Sequence, residues 1–257
     1  MERDALPLAE RVGVVTGASA GIGAATARAL AGAGMAVVVG ARRGDALASV
    51  CNDIRAAGGR AEAIAGDLRD PAQVDALVDG AVARFGRLDA VIGNAAVGVL
   101  RPIAEGRIEE WRAVLDTNLV GTLCLCRAAL RHMLPQGRGD IVLMGSASAE
   151  GAWPYFGVYA ASKAAVIALA RTLRAEAAPR GVRVMTVDIH NVAGTDFAAG
   201  LDPELLPAAI QRWVELGMLN PRAPTITADD VARAVVFQLS QPPPASVHHL
   251  VIRSQEN

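Results

Sequence analysis

The sequence predicts an α/β fold: a single domain over residues 1–257, in three layers, with helices on both faces of a doubly wound, mostly parallel seven-stranded sheet. Three observations predict it. Short β-branched runs alternate with longer alanine-rich runs along the chain, as in strand–helix–strand units feeding a parallel sheet. A glycine-rich turn joins the first of these strands to the first helix. At 257 residues and 52% hydrophobic content, the chain can bury one substantial core.

Each element follows from local sequence. Arg11 to Thr16 is Val-rich and reads as a buried first strand. Ile22 to Ala33 reads as a helix, ended by Gly32 and Gly34. Ala36 to Gly40 is the second strand. Asp45 to Ala57 is the second helix, closed by Gly58-Gly59. Arg60 to Ala65 is the third strand. Pro71 to Phe85 is a helix with proline at its first turn, where no amide hydrogen is needed. Leu88 to Ile92 is the fourth strand, and Ile108 to Leu134 a long helix. Asp140 to Met144 is the fifth strand, Tyr159 to Ala178 another long helix, and Val182 to Ile189 the sixth strand. Leu201 to Gly217 and Ala228 to Ser240 read as helices, and His248 to Ile252 as a last short strand. Crossovers between the strands are expected to be right-handed.

Composition narrows the function. The net charge is −1, with no long basic run, and the sequence pI is about 6.4, which argues against nucleic acid as a partner. Aromatics make up 4%, too few for a base-stacking platform. The charged start, Met1-Glu2-Arg3-Asp4, leads into no apolar segment of the secretory kind. No apolar stretch approaches the roughly 20 residues that span a bilayer, so no membrane partner is expected. Cys51, Cys124 and Cys126 form a sparse, odd set, consistent with reduced thiols and a cytoplasmic location. Cys124 and Cys126 lie in an apolar helical run without neighbouring ligands, so no metal site is expected.

Two segments carry chemistry. In Tyr159-Ala160-Ala161-Ser162-Lys163, a phenol and an ammonium stand at i and i+4 of a predicted helix, on one face. A free tyrosine titrates near pH 10, and a neighbouring cation favours its phenolate. Such a pair suits proton transfer to or from a hydroxyl. The second segment is Thr16-Gly17-Ala18-Ser19-Ala20-Gly21-Ile22-Gly23, between the first strand and the first helix. Glycines there allow a tight turn and close approach of a pyrophosphate, which the helix N-terminus then receives.

With these motifs in place, the chain resembles the short-chain dehydrogenase/reductase family nearly end to end. The family's T-G-x-x-x-G-x-G matches Thr16 to Gly23. Its Asn-Ala-Gly after the fourth strand appears as Asn94-Ala95-Ala96, its helix asparagine as Asn118, its serine after the fifth strand as Ser146, and its Y-x-x-x-K as Tyr159 and Lys163. The resemblance implies a Rossmann fold and a role for each residue. Tyr159 is the general acid/base. Lys163 lowers its pKa and binds the nicotinamide ribose. Ser146 holds the substrate oxygen, chosen over nearby Ser148 by its spacing to the tyrosine. Asn118 positions a water linking Lys163 to a proton relay. Gly17, Ser19, Gly21, Ile22, Gly23 and Asn94 hold the dinucleotide, with Asp67 at the adenine and Thr195 at the carboxamide. Hydroxyl donors aimed at the reacting oxygen stabilise the charge that develops there. The resemblance further implies a homodimer or homotetramer built on the long helices, and places a variable substrate-binding segment at roughly residues 198–225.

The nucleotide preference is read from the end of the second strand. An acid about 20 positions past the glycine turn binds the ribose 2′-hydroxyl of NAD, whereas an arginine suits a 2′-phosphate. Here the run is Gly40-Ala41-Arg42-Arg43, with no acid before Asp45. NADP(H) is therefore expected, held by Arg42 first and Arg43 second. After the sixth strand the chain departs from the family: His190-Asn191 replace Pro-Gly. Asparagine tolerates positive φ, so the turn is expected to survive with the imidazole as a bystander, although a second acid/base there stays open. Leu205, Leu206, Trp213, Leu216, Met218 and Leu219, with Trp153, Tyr155 and Phe156, suggest either an apolar substrate wall or a subunit interface. The reading is an NADP-dependent oxidoreductase, a ketoreductase or alcohol dehydrogenase acting on a small carbonyl or secondary alcohol. The alternatives are a non-redox epimerase or dehydratase on the same fold, or a dinucleotide-binding regulator without turnover.

Overall fold

The computed structural model describes residues 8–255. The strands are β1 (Val12–Thr16), β2 (Ala36–Ala41), β3 (Arg60–Ala65), β4 (Ala90–Gly93), β5 (Gly139–Met144), β6 (Val182–Ile189) and β7 (His249–Ile252). The helices are α1 (Gly21–Gly32), α2 (Gly44–Ala56), α3 (Pro71–Phe85), α4 (Ile108–Leu115), α5 (Gly121–Gln136), α6 (Gly157–Ala177), α7 (Leu206–Glu215) and α8 (Ala228–Ser240). The strands form one sheet in the order β3-β2-β1-β4-β5-β6-β7. Every neighbouring pair is parallel, where a mostly parallel sheet was expected.

Alternation along the strands divides the core in two. Val12 and Val14 of β1 join α3, α5 and α6 on one face, while Val15 joins α1, α2 and α8 on the other. In β6, Val182 and Val184 face the α6 side, and Met185 and Val187 face the α8 side. The amino ends of the strands are fastened by charge. Asp140 is buried between Arg11 and Arg183, and Asp89 binds Arg87 and the Val12 amide. Side chains cap two helices: Asp70 caps α3 ahead of Pro71, and Thr227 with Asp230 forms a capping box on α8.

Two expectations need correction. The long helix predicted from Ile108 is interrupted by a π-helical turn, Asp116–Val120, between α4 and α5. Together these 29 residues have a mean hydropathy of 1.4 in their most apolar window, long and apolar enough by that measure to cross a membrane. Here the buried side of this helix packs on the sheet and on α3. The helix expected from Leu201 starts only at Leu206. Pro203 disfavours helical geometry at Asp202, whose carboxylate instead accepts from the Glu204 amide in a local turn. Cys51 and Cys126 are buried and Cys124 partly so, all as free thiols; burial pushes Cys126 up to about 12.

Candidate active site

The winding of the sheet reverses between β1 and β4, and a crevice opens beyond the carboxyl ends of the strands at such a point. Here it is a cleft of about 990 Å³, running from Arg42, Arg43 and Asp67 at one end to Trp153, Trp213 and Met218 at the other.

The β1–α1 turn forms its floor. Gly17 has φ of 64° and Gly21 of 54°, both in the left-handed region that favours glycine. A Cβ on Gly23 would strike the Gly17 carbonyl and come within 2.6 Å of Asn94 Nδ2, so the turn closes only with glycine there. No side chain caps α1, which leaves its first amide groups for an anion. Gly17, Ser19, Gly21 and Ile22 line the cleft, whereas Gly23 serves in the packing behind it. Asn94 lines the cleft too, but its amide nitrogen donates to the Thr16 carbonyl at 2.9 Å and the Gly17 carbonyl at 3.3 Å. Its work is to clamp the turn; Thr16 Oγ1 accepts the Asn94 and Ala95 amides in the same clamp.

Arg42 and Arg43 stand exposed at the end of β2, on the rim of the cleft. Arg43 reaches Ser19 Oγ and Asp196, each at 3.2 Å. Among the described residues no hydrogen bond is formed by the Arg42 guanidinium, which acts on Asp67 only through its charge. The Asp67 carboxylate is gripped by Arg69, which holds it below the usual carboxylate range. Thr195 lines the cleft, and a Cβ on Gly21 would lie 3.4 Å from its side chain.

Tyr159, Lys163 and Ser146 meet in the middle of the cleft. Lys163 Nζ lies 5.7 Å from the Tyr159 ring centre and donates to the Met144 carbonyl at 2.9 Å. Lys163 is the only lysine in the sequence. The expected lowering of the tyrosine pKa is not what this geometry produces. Burial raises Tyr159 to about 12, against a smaller opposing pull from the Ser146 hydroxyl. The cause is an apolar cap: Phe156 stacks on the phenol at 4.3 Å and Phe197 lies at 5.2 Å. Lys163 is lowered to about 8 by burial, with Asp188 opposing. Ser146 Oγ accepts from the hydroxyl and amide of Ser148 at 2.9 and 3.2 Å, so the serine passed over by spacing orients the one chosen.

Asn118 works through its side chain as a structural tie. It is buried in the π-helical turn, with its carboxamide accepting from the Val97 amide at 2.8 Å and donating to the Val97 carbonyl and Ser162 Oγ. No side-chain donor is left over for a water beside Lys163. Ser162 donates in turn to the Tyr159 carbonyl at 2.7 Å. The side chain of Asn118 thus ties the Val97 loop to the helix turn that carries Tyr159 and Lys163. Ser162 was missed in the sequence, where only its position between the pair marks it.

The far half of the cleft is lined by Trp153, Phe156, Leu206, Trp213, Met218 and Leu219, as expected, and by Phe197, Leu201 and Ile210 in addition. Leu205 and Tyr155 pack behind this wall, and Leu216 is exposed. The charged lining residues, Arg42, Arg43, Asp67, Lys163 and Asp196, all belong to the other half or the centre. His190 lines the cleft half-buried, and its amide donates to the Ile252 carbonyl at 3.0 Å.

The family profile described as short chain dehydrogenase matches residues 11–205, and the chain belongs to this family. It is 38% identical to 3beta-hydroxysteroid dehydrogenase 1 of Eggerthella lenta, over 88% of this chain and 85% of the relative. It is 34% identical to glycine betaine reductase ATRR of Emericella nidulans over 97% of this chain, which spans only 19% of that longer protein. Among solved structures, a metagenomic short-chain oxidoreductase in complex with NADP superposes with a TM-score of 0.80 at 31% identity, covering 96% of this chain and 98% of the other. A Burkholderia phymatum short-chain dehydrogenase/reductase in complex with NAD gives 0.84 at 27% identity, covering 96% and 90%. The protein is therefore a short-chain oxidoreductase with a site for a nicotinamide dinucleotide.

Proposed function

We propose that the protein is an NADP(H)-dependent oxidoreductase that interconverts an uncharged, apolar ketone and its secondary alcohol, with Tyr159 as the general acid/base. The observation that carries this reading is the position of Tyr159, between a turn built for a pyrophosphate and a wall of aromatic side chains. The residues present fit the dinucleotide: Gly17 and Gly21 turn the backbone along the cleft at positive φ, α1 presents uncapped amides, and Arg42 has a guanidinium to give to a 2′-phosphate. The bound dinucleotide supplies or accepts the hydride.

The rest of the chemistry belongs to this chain. In reduction, the charge that builds on the carbonyl oxygen is met by the hydroxyls of Ser146 and Tyr159. Tyr159, protonated at neutral pH, gives that oxygen its proton. In oxidation the phenol must first lose its proton against its burial, with the Ser146 hydroxyl favouring that loss. Without a charged residue in its far half, the cleft gives a charged substrate no partner, whereas a ring system packs against Phe197, Trp153 and Trp213. The test is a panel of alicyclic and aromatic ketones and alcohols, followed by dinucleotide absorbance with both cofactors. Turnover is expected with NADPH over NADH, and Tyr159→Phe should lose at least about 100-fold in kcat with cofactor affinity kept. Replacing Arg42 and Arg43 by alanine should weaken NADPH and spare NADH. Equal wild-type affinity for the two cofactors would refute the NADP assignment.

A further inference from the structure

A buried carboxylate stands behind the catalytic pair. Asp188 is 3% exposed, on the face of β6 that α6 covers. One of its oxygens accepts from His249 Nε2 of β7 at 2.8 Å. The other accepts no hydrogen bond among the described residues. That oxygen lies against the Cα of Gly145, where a Cβ would run into it, so glycine at 145 makes the room it occupies. Gly145 is also the residue after Met144, whose carbonyl takes the Lys163 ammonium, and its own amide is bonded to the Val187 carbonyl at 2.8 Å. One peptide, Met144-Gly145, therefore carries the lysine at its carbonyl and the carboxylate against its next Cα.

We propose that Asp188, held by His249, is a positioning residue for Lys163: a counter-ion beneath the Met144-Gly145 peptide that keeps the catalytic ammonium charged. Burial draws protons onto Asp188 and off Lys163, so neither charge survives well alone. Each opposes that loss in its neighbour. Asp188 pulls Lys163 up against burial, and His249 pulls Asp188 down against it. The other charged groups that act on Asp188 are Glu150, which follows β5 and raises it, and His190, which follows β6 and lowers it. The arrangement hands control of the site lysine to an edge-strand histidine whose side chain is 43% exposed.

This inference rests on the reading of Lys163 as part of the proton-transfer site, but its test needs neither substrate nor cofactor. Because Lys163 is the sole lysine, protein labelled with [ε-13C]lysine gives one resonance, whose titration reports this ammonium directly. Asp188→Asn keeps the shape and removes the charge. Its lysine midpoint should fall below the wild-type value by about one pH unit, and the alkaline limb of turnover should fall with it. His249→Ala should move the midpoint the same way by less, and His249→Gln, which can still donate to Asp188, should restore it. If Asp188→Asn does not fold, the alanine and glutamine pair at 249 decides the matter alone. An unmoved lysine midpoint in folded Asp188→Asn, or equal midpoints in the two 249 variants, overturns the proposal. A wild type that turns over no alcohol or ketone would sink the functional reading instead, and leave the titration standing.

Discussion

At the scale of single residues, the site was legible wherever a motif fixes a side chain by spacing on a helix. Tyr159 and Lys163 share a face because they are four apart on α6, and the structure brings Ser146 to them. What a residue does with its hydrogen bonds was not legible, because that depends on partners distant in sequence. Asn118 spends its amide on Val97 and Ser162, and Asn94 spends its own on the turn. His190 shows the same limit. Read as a stand-in for proline, it should accept proline. Its amide, however, donates to the Ile252 carbonyl and helps hold β7, and proline has no such hydrogen. His190→Pro is therefore expected to cost about 1–3 kcal/mol, the penalty of a lost hydrogen bond and an orphaned carbonyl. His190→Gln keeps the amide and should leave stability near wild type. Urea melts of the two variants check this, and equal stability would remove the amide from the account.

At the scale of elements, strand and helix order followed from alternation and punctuation, and the departures have local causes. The π-helical turn Asp116–Val120 carries no glycine or proline to announce it. It is set by tertiary bonds, chiefly those of Asn118 to Val97 and Ser162. Asp140 was expected only as the start of a strand, yet it joins two elements through Arg11 and Arg183, and its side chain is only 5% exposed. Arg183 in turn donates to the carbonyls of Gln241 and Ala245, fastening the end of α8. Removing the carboxylate leaves two guanidinium groups without their shared partner in poorly solvated surroundings. Asp140→Ala should lose about 3 kcal/mol of stability, as breaking a buried ion pair does. The network lies at the amino ends of the strands, opposite the cleft, so kcat of the folded variant should match wild type. A large stability loss with unchanged turnover is the expected pair of results. A loss of turnover in folded protein would show that the two ends of the sheet are coupled.

At the scale of the whole molecule, the parallel sheet and its two helical layers generate a stable frame, and the site draws on that stability. Lys163 shows this most directly. Its folded pKa is about 8 against an ordinary 10.5, so the unfolded chain holds the proton more tightly than the native one does. The sign follows: the lysine destabilises the fold fully below pH 8, and the penalty is relieved as pH rises from about 8 towards 10.5. A shift of that size corresponds to about 3 kcal/mol at neutral pH. Lys163→Met removes the buried charge but also the bond to the Met144 carbonyl, which returns about 1 kcal/mol. The net expectation is an inactive protein more stable than wild type by about 2 kcal/mol at pH 7, a rise in Tm of roughly 4–8 °C for a chain of this size. The advantage should shrink as pH is raised through 8 and towards 10. The Tyr159 phenol works in the opposite sense but higher up: raised to about 12, it contributes stability present below its ordinary 10 and lost between the two values. Melts between pH 6 and 9 therefore isolate the lysine. A methionine variant that melts at or below wild type throughout this range would mean that Lys163 is better solvated or better paired than its burial implies.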